Sequence, residues 1–222
     1  MTNKLQKKDF IEIEFTGKIK DTGEIFDSNI KKDLEKLNPQ HKPEQAKPFV
    51  FSLGQDMFLK GIDDFLIGKE IKEHKIDLSP EKGFGNRDAK LIKLMPRSVF
   101  IQQKTNPVPG MVFNFDNQIG KILSVSGGRI RVDFNNPLAG KDVVYDVKIL
   151  RKIEDQNEKI KSFIEFVFRQ PLKFEVKDKK IIIQAEKQMK QFIEMFKEKF
   201  KEVFEMDLEV EEVGDKKGSL NS

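Results

Sequence analysis

The chain contains no cysteine, which excludes a disulfide framework, a thiol nucleophile, and zinc or iron–sulfur sites built on thiolates. Histidine is almost as scarce, with only His41 and His74. His41 sits between Pro39 and Pro43 in a loop-like stretch and His74 in a strand-like one, so no metal site and no cofactor is expected. Hydrolysis by a general base loses its usual agent as well, because a base poised near neutral pH is most often imidazole. Whatever catalysis this chain performs should need little proton transfer. Long apolar runs are missing too: none approaches the roughly 20 residues that span a bilayer, and Met1 to Lys8 holds no apolar leader core. The expectation is a soluble, cytoplasmic protein without a membrane partner.

What remains is rich in charge and phenylalanine. Of 222 residues, 35% are charged and 37% hydrophobic, with 20 Phe, enough to build cores and cover them with a solvated shell. The length suits two or three small domains. The net charge of +4 is concentrated between Asn86 and Gly140, where eight basic residues face three acidic ones. That surplus can steer acidic partners, but it lacks the dense basic clusters of a nucleic-acid stripe, so no specific nucleic-acid binding is expected.

Along the chain, Ile11, Ile13 and Phe15 alternate with Glu12 and Glu14, the period-2 pattern of a strand with one wet face. Asp21-Thr22-Gly23-Glu24 supplies turn chemistry before a strand at Ile25-Phe26. The polar stretch Lys31 to Lys47 reads as a loop with a short helix, and Phe49 to Leu53 as a strand. Phe58, Leu59, Ile62, Phe65 and Leu66 recur at helical spacing between Asp56 and Leu66, and Ile71 to Leu78 forms a strand. Between Asn86 and Gly140, Met111 to Phe115, Ile119 to Val125 and Arg129 to Phe134 read as three strands of a small β unit, and Val143 to Leu150 as a strand returning to the first sheet. Beyond Glu154 the order becomes helix, hairpin, helix, strand. Ile160, Phe163, Ile164 and Val167 mark the first helix face, and Phe192, Phe196, Phe200 and Phe204 a long second helix from Glu186 to Glu205. Four-residue spacing drifts about 40° per step on a 3.6-residue helix. One three-stranded sheet should not cover so broad a stripe, and a homodimer through this domain is expected.

Phe15-Thr16-Gly17, Thr22 to Ser28, Lys47 to Gly54, Lys60-Gly61-Ile62, Gly83-Phe84-Gly85 and Val144 to Val147, in this order, resemble the FKBP-type peptidyl-prolyl cis/trans isomerases. The insertion between Gly85 and Lys141 is similar to the insert-in-flap domain of the SlyD-like branch, and the last segment to that of long archaeal members. The resemblance implies an α+β fold: an antiparallel sheet wrapped on a short helix over 1–85 and 141–154, a β-rich chaperone insert over 86–140, and a C-terminal α/β domain over 155–222. It implies a prolyl isomerase with holdase activity, acting on unfolded or proline-containing polypeptides. Asp27, Phe26, Phe84 and Tyr145 would carry the catalysis, with Phe15, Phe49, Phe58, Leu59 and Ile62 lining the pocket. In the insert, Leu94, Met95, Val99, Phe100 and Met111 would hold the client. Ile62 stands where many members of that family have Trp. Taken singly, Phe26, Phe49 and Tyr145 also suit a plain strand core, and the same pocket could serve a non-catalytic docking module.

Overall fold

The computed structural model describes residues 4–37, 46–102, 104–115 and 118–213. The loop assigned to His41 and the tail beyond Val213 lie outside them. The chain divides into two compact units: Met1–Gly17, Ile25–Ile76 and Tyr145–Ser222 form one, and Lys18–Glu24 with Asp77–Val144 the other. No helix among the described residues is long and apolar enough to cross a membrane.

The first unit holds most of the strands β1 (Phe10–Ile19), β2 (Ile25–Ser28), β3 (Phe49–Ser52), β4 (Glu73–Leu78) and, late in the chain, Val143–Ile153. The last of these lies between β1 and β4, β2 borders β1 on its other side, and β3 also pairs with β1, antiparallel from Phe10↔Ser52 to Ile13↔Phe49. Helix α1 (Lys31–Leu37) follows β2, and helix α2 (Lys60–Leu66) follows β3. The helix expected from Asp56 begins only at Lys60: Phe58 and Leu59 precede it, and Leu59 supplies its extended cap. Ile11, Ile13, Phe51, Leu53, Ile62 and Leu66 are buried together with Tyr145, Val147 and Ile149. Each such side chain contributes roughly 1.5–3 kcal/mol by leaving water.

Phe10 has the opposite parity to Ile11 and Ile13, so it faces the other side of the sheet. It is nevertheless buried, because the C-terminal segment covers that side. In the second unit, β5 (Ile92–Pro96), α3 (Arg97–Gln102), β6 (Val112–Phe115), β7 (Gln118–Ser126) and β8 (Arg129–Asp133) form a four-stranded antiparallel sheet of order β5-β8-β7-β6 with one helix. The three expected strands are present. β5 and α3 escape a periodicity reading, since Leu91 to Ile101 looks like one apolar run around Pro96. Phe100, Ile122, Ile130 and Val132 form the core, with Met95, Val99, Met111, Phe113 and Phe115 packed against it. Gly120 is required there, because a Cβ would stand 2.6 Å from Val132. The chain enters and leaves this sheet at one point: the Gly140 N–H donates to the Gly85 carbonyl at 2.8 Å.

The strand that returns to the first sheet is β9 (Val143–Ile153), followed by α4 (Gln156–Phe168), β10 (Lys173–Lys177), β11 (Lys180–Ala185), α5 (Lys187–Glu194), α6 (Lys197–Phe204) and β12 (Asp207–Glu212). Asp155 caps α4 by accepting the Glu158 N–H at 2.7 Å. β10 and β11 make the expected hairpin through Asp178 and Lys179, both at positive φ, and β12 lies parallel to β11. A parallel neighbour demands a crossover, which α5 and α6 provide.

Here the expectation of one long helix is corrected, because the helix breaks at Met195 and Phe196. The break restores phase to a stripe that would otherwise wind round the cylinder. Phe192 and Phe196 close on Phe168 at 5.9 and 5.4 Å, while Phe200 and Phe204 close on Phe163 at 5.1 and 5.4 Å. Phe204 also stacks on Phe10 at 5.7 Å. Covering therefore comes from α4 and β1 as well as from the sheet, and the exposed remainder is Phe192 and Met195.

Candidate active site

Tyr145 on β9 is the hub of an aromatic cluster. Phe26 from β2 meets it edge-on at 5.7 Å, Phe58 edge-on at 5.7 Å, and Phe15 from β1 at 6.0 Å. Phe58 in turn touches Phe15 at 4.9 Å and Phe49 at 5.6 Å. Such contacts are worth about 0.5–1.5 kcal/mol each beyond burial, and they fix the ring planes. Gly17 makes the closest approach possible: a Cβ there would lie 2.9 Å from both the Phe26 and Tyr145 rings.

The Tyr145 hydroxyl points to Asp27 Oδ2 at 3.5 Å, a long hydrogen bond. Burial pushes the Asp27 carboxyl above its ordinary range, opposed by that hydroxyl and by the Ser28 N–H. Burial, and then the Asp27 charge, push the phenol upward in the same way. Tyr145 therefore stays a neutral donor at physiological pH.

A polar clamp that sequence reading missed holds β2 against β1. Asn29 accepts the Phe15 N–H at 2.8 Å and donates to the Ile13 carbonyl at 2.9 Å. The Ser28 hydroxyl donates to the Phe15 carbonyl at 2.9 Å, and the Thr16 hydroxyl to Asp33 at 2.6 Å. Short polar residues after a strand signal a turn as readily as a clamp, so no periodicity could have singled them out.

Of the expected pocket residues, Phe15, Phe49 and Phe58 line an open cavity of about 350 Å³, shared with Asn29, Lys47, Pro48 and Met57. Ile62 is wholly buried and Leu59 half-buried on the α2 side. Phe26, Asp27 and Tyr145 form the adjoining cluster described above. Phe84, half-buried between Gly83 and Gly85 after a short 3-10 turn, belongs to the second unit. Two further lining residues, Phe166 and Arg169, come from the end of α4 and lie outside the Ile160–Phe163–Ile164–Val167 face marked by the helical spacing.

In the second unit, Phe100 is corrected from a client-facing residue to the centre of the core, fully buried. Met95, Val99 and Met111 are half-buried against it. Leu94 is 55% exposed and, by strand parity, shares the sheet face opposite Phe100 with Val112 (61%) and Ile119 (63%).

Comparison with known proteins meets this geometry from outside. The FKBP-type peptidyl-prolyl cis-trans isomerase family matches residues 1–103, and the FKBP26 IF domain matches residues 93–138. A short-type peptidyl-prolyl cis-trans isomerase of Methanocaldococcus jannaschii is 30% identical over 151 residues, covering 67% of this chain and 94% of that protein. The FKBP-type 16 kDa isomerase of Escherichia coli K12 is 31% identical over 47% of this chain and 74% of its own length. The SlyD isomerase of Helicobacter pylori is 26% identical over 67% and 75% respectively. With most of the archaeal relative aligned and the insert matched separately, the chain belongs to the FKBP-type peptidyl-prolyl cis-trans isomerases, as a SlyD-like member with an insert in the flap.

Proposed function

We propose that the Phe15–Phe26–Phe58–Tyr145 cluster, with Asp27 at its edge, is where this isomerase rotates the X–Pro bond, and that the insert holds the unfolded chain during the turn. The uncatalysed barrier is about 18–20 kcal/mol, because the twisted amide loses resonance. The reaction breaks no covalent bond and moves no proton, which suits a site without histidine. An apolar pocket that binds the twisted amide better than either planar isomer lowers that barrier directly. Removing water helps further, since the planar amide is the more polar form.

In this reading Phe15, Phe49 and Phe58 seat the prolyl ring, and Ile62 and Leu59 support the floor. The Asp27 carboxylate, stiffened by Tyr145, faces the carbonyl carbon as the C–N bond loses its partial double-bond character, and Phe84 is assigned a part in catalysis by its Gly83-Phe84-Gly85 motif alone. The single observation that carries the reading is the half-buried carboxyl of Asp27 within hydrogen-bond reach of Tyr145 in an otherwise aromatic cluster. In protease-coupled assays on proline peptides, Asp27→Ala with Phe84→Ala should lower kcat/KM by at least about tenfold. Unchanged turnover defeats the assignment.

As working parts we propose a catalytic one over 1–85 and 141–154, a holdase over 86–140, and a C-terminal part over 155–222. Leu94, Val112 and Ile119 on one open sheet face support client capture, with Met95 and Met111 at the adaptable margin of the core. For the C-terminal part we propose a two-fold dimer through Phe192 (46% exposed) and Met195 (79%). Light scattering over a concentration series should give twice the chain mass for the full protein and a monomer for Met195→Lys. A monomer in both removes the dimer.

A further inference from the structure

We infer that the end of α4 extends the substrate groove of this isomerase into a subsite for an acidic side chain, with Phe166 as its floor and Arg169 as its cation. The inference rests on the pocket assignment above and names what that pocket prefers.

The cavity bounded by Phe15, Phe49 and Phe58 does not end at the isomerase sheet. Phe166 and Arg169 close one side of it, and both also line a second cavity of about 370 Å³ that continues between β3 and α4. Lys47, Pro48 and Phe49 are common to the two, so they form one groove running away from the aromatic cluster. The Phe166 ring stands 6.5 Å from the Phe49 ring, and the Arg169 guanidinium 5.0 Å from the Phe166 ring. Those two steps are the reach of about three residues of extended chain. A polypeptide with its proline against Phe15 and Phe58 would carry a neighbouring side chain to Arg169.

The charges of the groove are unequally spoken for. Lys47 pairs with Glu165 at 3.6 Å, and Glu158 is held by Arg151. Arg169 has only the Phe166 ring and no carboxylate partner among the described residues. Its backbone is fixed: Arg169 caps α4 in the left-handed region at φ 57°, and the cation–π contact orients the guanidinium without neutralising it. A planar fork of donors at the rim of an apolar groove is suited to bind a carboxylate. Lys161, also on the groove wall and attracted to Glu158, adds to the same sign.

The test uses the full chain and two peptide series sharing one X–Pro core, with Asp or Lys placed one to four residues from the proline on either side. Both turnover and equilibrium binding are measured at low salt. The wild type should prefer the Asp peptide by about five- to twentyfold at one placement, with the ratio falling as salt screens the pair. Arg169→Glu should invert the ratio, Arg169→Lys should keep its direction, and Phe166→Ala should shrink it. An Asp-to-Lys ratio that is unchanged in Arg169→Glu, in binding as in turnover, overturns the subsite. The pocket assignment stands or falls separately, on whether Asp27→Ala slows every peptide alike: its failure would leave the binding ratio, and so the subsite, intact.

Discussion

At the scale of single residues, Gly17 shows how much of this site depends on an absent side chain. The Phe26 and Tyr145 rings reach in to where its Cβ would be, at 2.9 Å each, a distance real Cβ atoms do not tolerate. Gly17→Ala should therefore move both rings, cut kcat/KM by about tenfold, and cost on the order of 1–3 kcal/mol in urea unfolding. Wild-type values for both would mean that the strand yields instead of the rings. Asp63, on α2 behind the pocket, sets a pH dependence. Its Oδ2 accepts the Gly54 N–H at 3.1 Å, its Oδ1 is buried without a hydrogen-bond partner among the described residues, and burial raises its pKa to about 7. Asp56 and Asp64 push the same way and Lys60 opposes them. An acid whose folded pKa lies above its unfolded value keeps its proton longer in the folded state, so the folded protein binds more protons between about pH 4 and 7. The stability it contributes is complete below about pH 4 and is lost as pH rises through 7. Asp63→Asn should raise the melting temperature by several degrees at pH 8 and leave it nearly unchanged at pH 4. A pH-independent difference would show that Asp63 does not titrate in that window.

At the scale of elements, the insert has ends that meet. Because the Gly140 N–H reaches the Gly85 carbonyl, residues 86–140 can be replaced by a short loop without stretching the chain. The shortened protein should turn over tetrapeptides within about tenfold of the wild type, yet slow the refolding of a proline-limited protein far more, since tethering raises effective client concentration into the mM range. Equal losses on both substrates would make the insert structural. The elements also show what the sequence could and could not disclose. The alternation of Ile11, Ile13 and Phe15 located β1 and its buried face, but no period-2 rule could foretell that Phe10, on the wet face, is buried as well. Its cover comes from Phe204, far along the chain. The Phe192-to-Phe204 spacing announced an unusual helix; with neither Pro nor Gly at the joint, the break at Met195 had no local signal, and it arises from the two ring clusters on α4. The aromatic cluster and Asp27 were legible because an ordered set of short motifs carried them. Phe166 and Arg169 were not, since an amphipathic helix face does not reveal which sheet it will meet.

At the scale of the whole molecule, the C-terminal segment is part of the same compact unit as the isomerase sheet. Arg151 ties the two by its bonds to Glu12, at 2.7 Å, and to Glu158, and the Phe10–Phe204 stack adds an apolar contact. The chain has one tyrosine and no tryptophan, so Tyr145 emission is an intrinsic reporter of the aromatic cluster. Phe204→Ala should cost about 3–5 kcal/mol and shift the Tyr145 transition together with the loss of C-terminal helix in circular dichroism. Separate transitions for the two probes would show that the segments unfold independently.

The same Phe10–Phe204 stack bears on synthesis. Phe10 leaves the ribosome about 190 residues ahead of Phe204, and at roughly 5–20 residues per second their emergence is separated by tens of seconds at the slower rates. For that interval the nascent isomerase carries one bare aromatic on the wet side of its leading strand. A protein proposed to shelter unfinished chains is thus, during its own translation, an unfinished chain of the kind it would shelter.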